Sequence, residues 1–218
     1  MKYTEIRSQE EFDTRDTNKY LRILYRVKLK DSDNIGDEIG TWDMSRCKNM
    51  VSMFKNCQNI PDISKWDVSS CKTMSHMFEN CQNIPDINNW DVSSCKSMWS
   101  MFENCQNIPD INNWDVSSCN SMWSMFKNCY NVPDISGWNI SSCKDMFLMF
   151  NNCQYIPDIS NWNVSSCCDI RYIFENCHNI PNLHNWCNSN LTFNKYYTLN
   201  IPVKCGKLSF NKCHSLKC

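Results

Sequence analysis

The sequence of 218 residues contains no alanine and only four glycines. It uses cysteine and tryptophan heavily instead, with 17 cysteines and nine tryptophans. Such a bias reflects internal duplication and a skewed genome as much as physics. The composition therefore excludes an average globular sequence and identifies no chemistry.

A strong excess of charge is also lacking. The net charge is −1; residues 1–41 carry eight Lys/Arg and nine Asp/Glu, residues 42–186 carry nine and 14, and residues 187–218 carry five and none. A tail of this size with five positive charges is too weak a signal for nucleic acid. We therefore expect no nucleic-acid partner.

Long apolar runs are absent as well. No stretch approaches the roughly 20 apolar residues of a membrane span, and the N-terminal residues are acidic where a cleaved signal peptide needs an apolar core. We expect an intracellular protein without a membrane span, in which most cysteines remain thiols. Disulfides between neighbouring units remain the alternative for an oxidising compartment.

What the sequence does contain is a repeat of 24 residues. Tryptophans recur at this constant step, and the six complete units begin at Trp42, Trp66, Trp90, Trp114, Trp138 and Trp162, with a seventh tryptophan at Trp186. Self-similarity at a fixed period is typical of stacked repeat architectures. We therefore predict three segments: an N-terminal cap over 1–41, a repeat solenoid over 42–186 and a C-terminal cap with a basic tail over 187–218.

One unit predicts its own local structure. The opening Ile-x-x-Trp-x-Val-x-x-Cys resembles the leucine-rich-repeat frame, with Trp90 and Val92 pointing inward from a short parallel strand. Ser93 and Ser94 suit a helix N-cap. The apolar residues that follow, Met98, Met101, Phe102 and Cys105, then form one buried helical stripe. The predicted fold class is an α/β solenoid of leucine-rich-repeat type with six strand–turn–helix units; a β-helix with little helical content is the competing prediction.

The motif Met-Phe-x-x-Cys-x-x-Ile-x-x-Ile, followed by Trp-Asp-Val-Ser, resembles the BspA-like leucine-rich repeats. These occur in bacterial surface lipoproteins with 26-residue repeats, in protist surface proteins and in giant viruses of amoebae. The resemblance covers about 41–186 and implies a solenoid of the kind sometimes assigned to adhesion or protein binding. The 24-residue unit and the absent export signal favour an intracellular or viral protein, placed in a host cytoplasm or a virion if viral.

Two rows of residues are candidate binding surfaces. The residue after each tryptophan is expected to face outward from the concave sheet, which makes a row of Asp43, Asp67, Asp91, Asp115, Asn139 and Asn163. This row either docks a basic partner or a cation, or each carboxylate accepts from the following Ser-Ser turn. On the helix side, Trp99, Trp123 and Phe147 form either an apolar interface patch or a filling between neighbouring helices.

Catalytic and metal-binding constellations are not evident. The histidines occupy no repeated position and have no nucleophile with an orienting acid, so we predict no enzyme activity. Cysteines recur every 24 residues at two positions, which gives a first row from Cys47 to Cys167 and a second row from Cys57 to Cys177. Both rows are expected to be structural thiols. An alternative to purely structural cysteines is zinc binding by the tail residues Cys205, Cys213, His214 and Cys218, but no Cys-x-x-Cys knuckle supports it. We therefore expect no cofactor or metal.

The function expected from the sequence is a non-enzymatic protein-binding or scaffold module whose repeat surface binds a protein partner. A self-associating structural component, such as a virion or surface protein, is the alternative.

Overall fold

The computed structural model describes residues 39–183 and Trp186. Over these residues, helical conformation is confined to the single positions Ile39 and Trp186, and extended pairing is confined to single bridging residues. The described chain therefore contains no helix or strand longer than one residue. The predicted cap over 1–41 lies outside this range except for 39–41, and the predicted tail over 187–218 lies wholly outside it.

Each 24-residue unit forms one coil of the chain, and successive coils stack in register. Parallel bridges join residue i to residue i+24 in two columns. The first column runs through Asn49, Thr73, Ser97, Ser121, Asp145 and Asp169; the second joins Asn59, Asn83 and Asn107, and then Asn131, Tyr155 and Asn179. Neighbouring coils are therefore separated by about 4.8 Å, the usual spacing of hydrogen-bonded backbones.

Within a coil, the backbone is built from successive tight turns. In the unit that begins at Trp90, the amides of Cys95, Met101 and Cys105 each donate to the carbonyl three residues back, at 2.8 to 3.1 Å. The intervening amides of Ser100, Phe102 and Asn104 donate to carbonyls of the next coil, at 2.7 to 3.0 Å. Every amide from 100 to 105 thus has a partner, as a buried backbone requires.

Two residues in each unit adopt left-handed backbone conformation. In the unit from Trp90 they are Ser100, with φ of 52°, and Asn104, with φ of 62°. Asparagine occupies the second of these positions in all six units, and it tolerates this conformation better than most residues. The side-chain amides also form a row: Asn104 Nδ2 donates to Asn80 Oδ1 at 2.7 Å, and Asn128 Nδ2 donates to Asn104 Oδ1 at 2.7 Å.

The predicted α/β solenoid of strand–turn–helix units is therefore wrong. Two left-handed residues four positions apart, Ser100 and Asn104 in the unit from Trp90, interrupt a right-handed helix. The amides of Ser100, Phe102 and Asn104 donate to the next coil rather than to the carbonyl four residues back. Ser93 and Ser94 are consequently not a helix cap. The competing β-helix prediction was right about the low helical content, but the bridges of the described residues are isolated and form no extended strands.

The inward assignment of side chains is nevertheless confirmed. Trp90, Val92, Cys95, Met98 and Phe102 are all at most 3% exposed. Equivalent phenylalanines of neighbouring coils stack with ring centroids 5.8 to 5.9 Å apart. Each indole from Trp66 to Trp186 in the 24-residue series donates its Nε1–H to an isoleucine carbonyl 27 residues earlier. The core is thus a bundle of columns that run through all coils.

Candidate surface rows

The acidic row after the tryptophans is exposed, as predicted, but it follows an outer edge of the coils rather than a concave sheet. In each unit, the Oδ1 atom of the Asp or Asn accepts the backbone N–H two residues later at 3.0 to 3.1 Å. The interpretation that these side chains stabilise the following turn, which is Ser-Ser in five units and Ser45-Arg46 in the first, is therefore confirmed. The hydroxyl and amide of Ser69 lower the pKa of Asp67, so this carboxylate is charged at neutral pH.

The structure contains a second acidic row that was not among the candidate surfaces predicted from the sequence. It lies in the Pro-Asp-Ile segment of the first five units and consists of exposed Asp62, Asp86, Asp110, Asp134 and Asp158. Each Oδ1 atom again accepts the backbone N–H two residues later, at 2.9 Å. The signal in the sequence was the repeated Asp after proline, because aspartate is typical of turns that its own side chain stabilises.

Trp99, Trp123 and Phe147 are partly buried and lie in contact with one another. The rings of Trp99 and Trp123 stack with centroids 4.4 Å apart and an interplanar angle of 14°. Phe147 meets Trp123 edge-on at 5.7 Å. The prediction that these three residues are contiguous is therefore confirmed, although they pack between turns and not between helices.

Two further residues extend this group. His76 lies 4.9 Å from Trp99, and Tyr172, which is 40% exposed, meets Phe147 edge-on at 5.8 Å. Within their units, His76 and Tyr172 lie one position after the equivalent of Trp99, and their φ angles are 58° and 57°. This left-handed backbone brings their rings beside those of Trp99 and Phe147. We call these five residues, His76, Trp99, Trp123, Phe147 and Tyr172, the aromatic row. It spans five consecutive coils.

Polar groups border the aromatic row. Glu79 Oε2 accepts from His76 Nδ1 and from Lys55 Nζ, both at 2.6 Å. Burial alone would raise the pKa of Glu79, but the hydrogen bonds from His76 and Lys55 outweigh it and leave the pKa lowered. At the other end, the guanidinium of Arg171 lies 5.1 Å above the Phe147 ring and pairs with Asp169. The Nε1–H of Trp123 is buried and has no hydrogen-bond partner among the described residues.

The two cysteine rows are structural thiols, as predicted. All twelve are free cysteines, and ten of them are buried: Cys47, Cys57, Cys71, Cys81, Cys95, Cys105, Cys119, Cys129, Cys143 and Cys153, with Cys167 and Cys177 partly buried. In the second row, Cys105 Sγ donates to the carbonyl of Phe78 at 3.0 Å, and its equivalents repeat the bond. Burial raises the pKa of Cys105 to about 12, which opposes thiolate chemistry.

Metal-ligand clusters of three or more side chains do not occur among residues 39–183 and Trp186. The basic tail lies outside this range, and with it the tail residues considered for zinc: Cys205, Cys213, His214 and Cys218. Over the same described residues, no helix is long and apolar enough to cross a membrane. The absence of enzymatic activity stays a prediction.

Comparison with known proteins gives one match. The model of a family described as "Mycoplasma protein of unknown function, DUF285" matches residues 25–134 and again residues 106–201. No curated protein matches the chain, and no solved structure does. The two overlapping matches together span most of the chain and all six complete repeats.

Proposed function

Because the chain belongs to this family of Mycoplasma proteins of unknown function, whose description names no activity, we propose a function from the surface itself. The protein is a non-enzymatic binding or scaffold module, and the aromatic row is its docking surface for a protein partner. The observation that carries this proposal is the continuous contact of five partly exposed rings across five coils.

The core does not require these rings. The position of Trp99 is occupied by Val51, Ser75, Trp123, Phe147 and Arg171 in the other units, although the coil geometry is the same in each. A coil that accepts serine or arginine there gains no essential packing from tryptophan. Tryptophan, tyrosine and arginine are the residues enriched at the energetic centres of protein interfaces, and all three occur in or beside the aromatic row.

The row also offers polar contacts to a partner. The carboxylate of Glu79, which accepts from His76 and Lys55, lies at one end of the row, and the guanidinium of Arg171 lies above the Phe147 ring at the other. An apolar strip with polar groups along its border is the usual arrangement of a protein interface.

We further propose that the units are of BspA-like sequence type. The motif Met-Phe-x-x-Cys-x-x-Ile-x-x-Ile and the Trp-Asp-Val-Ser segment support this kinship. The proposal concerns the sequence type and its association with protein binding, and it does not include the strand–turn–helix architecture.

A pull-down with three baits tests the docking surface. The first bait is the wild-type chain. The second carries Trp99→Ser and Trp123→Ser, because serine is the residue that the second unit has at this position, as Ser75. The matched control carries Tyr130→Gln and Tyr155→Asn, two aromatic residues 51% and 50% exposed elsewhere on the stack; these changes also install residues found at the same positions in other units.

We expect a partner that the wild-type and the tyrosine control retain and the tryptophan variant loses. Loss with both variants, or retention by both, contradicts the aromatic row as the docking surface. If no partner is captured and the wild-type chain self-associates in a manner that requires Trp99 and Trp123, the self-associating structural component replaces the present proposal.

A further inference from the structure

A row of lysines runs along the stack beside the first acidic row. Lys48, Lys72, Lys96 and Lys144 occupy one repeated position and are all exposed. Their backbones form a continuous ladder, in which the amide of Lys72 donates to the carbonyl of Lys48 at 2.8 Å and the amide of Lys96 donates to that of Lys72 at 2.8 Å. The ammonium groups therefore leave the stack at the spacing of the coils.

These ammonium groups have no carboxylate partner within ion-pair distance among the residues that the structure describes. The ion pairs present there involve other cations, Lys55, Lys127 and Arg171. Three consecutive lysines about 4.8 Å apart repel one another. An ordered row of anions with the same period would offset that repulsion.

The chain carries such a row directly beside the lysines. In the second unit, a tight turn from Val68 to Cys71, closed by a 2.8 Å hydrogen bond, places Asp67 before it and Lys72 after it. The same turn recurs in each unit. We call the strip formed by Asp43, Asp67 and Asp91 with Lys48, Lys72 and Lys96 the charged edge.

The geometry of the charged edge selects one arrangement of two copies. A two-fold axis parallel to the stack keeps both stacks pointing the same way and exchanges left for right, so each acidic row faces the other copy's lysine row, unit by unit. An axis perpendicular to the stack places acid against acid. The next two units also fit the parallel arrangement. In it, Asp115 of one copy faces the uncharged Asn120 of the other, and Lys144 of one copy faces the uncharged Asn139 of the other.

We propose that the charged edge is a self-association surface, on which a second copy docks with its stack parallel to the first, so that Lys72 of each copy meets Asp67 of the other. Lys48 and Lys96 meet Asp43 and Asp91 in the same way. Exposed ion pairs are individually weak and screened by salt. The association is accordingly weak at high ionic strength and depends on all three units.

Sedimentation of the full chain, with reductant present, tests this surface. Between about 0.01 M and about 1 M salt the screening length falls from roughly 30 Å to roughly 3 Å, and we expect the dimer dissociation constant to rise at least about tenfold. Lys72→Glu with Lys96→Glu replaces attraction by repulsion in both halves of the dimer and is expected to weaken it at least about tenfold at low salt.

Two matched variants distinguish the charged edge from the second acidic row. Asp67→Asn with Asp91→Asn removes charge while keeping the Oδ1 acceptor, as Asn139 shows, and is expected to weaken the dimer. Asp86→Asn with Asp110→Asn makes the same change in the second acidic row and is expected to leave the dimer unchanged. The aromatic-row variants should also leave it unchanged, which keeps this test separate from the docking proposal.

Register is read by zero-length carbodiimide cross-linking of an equal mixture of ordinary and heavy-nitrogen chains, which identifies links between copies. We expect mixed-isotope links from Lys72 to Asp67 and from Lys96 to Asp91. A chain that stays monomeric at low salt overturns the proposal. So does a dimer that the lysine variant leaves intact, or one whose links between copies lie outside the charged edge.

Discussion

Asn104 provides a test that separates stacked turns from a helix by the sign of a stability change. Its φ is 62°, its Nδ2 donates to Asn80 Oδ1, and its Oδ1 accepts from Asn128 Nδ2, both at 2.7 Å. Alanine pays roughly 1–2 kcal/mol for left-handed backbone, and the two partly exposed amide bonds contribute at least about 0.5 kcal/mol each. Asn104→Ala should therefore cost about 2–3 kcal/mol.

Asn104→Gly loses the same amide bonds but pays no left-handed penalty, although glycine adds about 0.4–1 kcal/mol of unfolded-state entropy. We expect it to cost about 1–2 kcal/mol, less than alanine. In a helix the order reverses, because alanine is better than glycine by about 1 kcal/mol and better than asparagine as well. The order of the two variants therefore reports the backbone conformation directly.

Urea unfolding followed by tryptophan fluorescence and far-ultraviolet circular dichroism measures both changes. The control is Asn113, an exposed asparagine whose φ is not positive and whose equivalent, Gly137, has open space around an added Cβ. There, alanine should be at least as stable as glycine. An Asn104→Ala protein as stable as the wild type, or more stable than Asn104→Gly, would refute the turn-built coil.

Three further predictions concern the core and the rows. Trp90→Ala should cost roughly 3–5 kcal/mol, because the indole is 3% exposed, while the Ile63 carbonyl that it leaves still accepts from the Trp66 amide; an unchanged melting temperature would contradict the inward assignment. Asp91→Asn should change the free energy of unfolding by less than about 0.5 kcal/mol, since asparagine makes the same turn at Asn139, and thermal melting checks it. Burial raises the pKa of nine thiols, that of Cys105 to about 12, above the ordinary 9.0. The protonated thiols contribute fully to the free energy of unfolding below pH 9.0. This contribution is lost as the pH rises toward the folded pKa, by roughly 1.4 kcal/mol per thiol and pH unit. We expect cooperative unfolding near pH 10, measured by circular dichroism in reductant, and a fold that persists at pH 12 would contradict this expectation.

The burial pattern could be predicted from the sequence because hydrophobicity records which side chains avoid water, whatever the backbone does. Trp90, Val92, Cys95, Met98 and Phe102 were all placed correctly. The backbone could not be predicted from the same residues. Intervals of three, one and three residues between Met98, Met101, Phe102 and Cys105 fit one face of a helix, and they fit a chain of tight turns equally well.

The signal against a helix lay in the polar residues. Asparagine precedes the second cysteine in all six units, and an asparagine in the middle of a helix is unfavourable, whereas in left-handed backbone it is among the best tolerated residues. With four glycines in the whole chain, asparagine was the remaining common residue suited to that conformation. The residues Ser100 and His76, which adopt it at the first position, gave no such signal.

Some of the surface rows could be predicted from the sequence and others could not. The first acidic row and the three aromatic residues were predictable, because in each case side chains of similar chemistry occupy one repeated position in at least three consecutive units. His76 and Tyr172 were not, since they join the aromatic row from the neighbouring position, and this requires the left-handed backbone. The lysine row repeats as regularly as the acidic row, but its meaning depends on the turn that holds both rows on one edge.

Comparison of the units with one another separates what the fold needs from what it leaves open. The position of Met98 is methionine in the first five units and isoleucine in the sixth, and it is buried in the first five. The adjacent position of Trp99 ranges from serine to tryptophan and arginine on the same backbone. A stack of identical coils turns any repeated residue into a row. The core requires an apolar side chain at the position of Met98 and makes no such requirement at the adjacent position of Trp99. Trp99, Trp123 and Phe147 of the aromatic row lie at this second position. The core therefore does not require large aromatic side chains there, and this is what the proposed docking surface predicts.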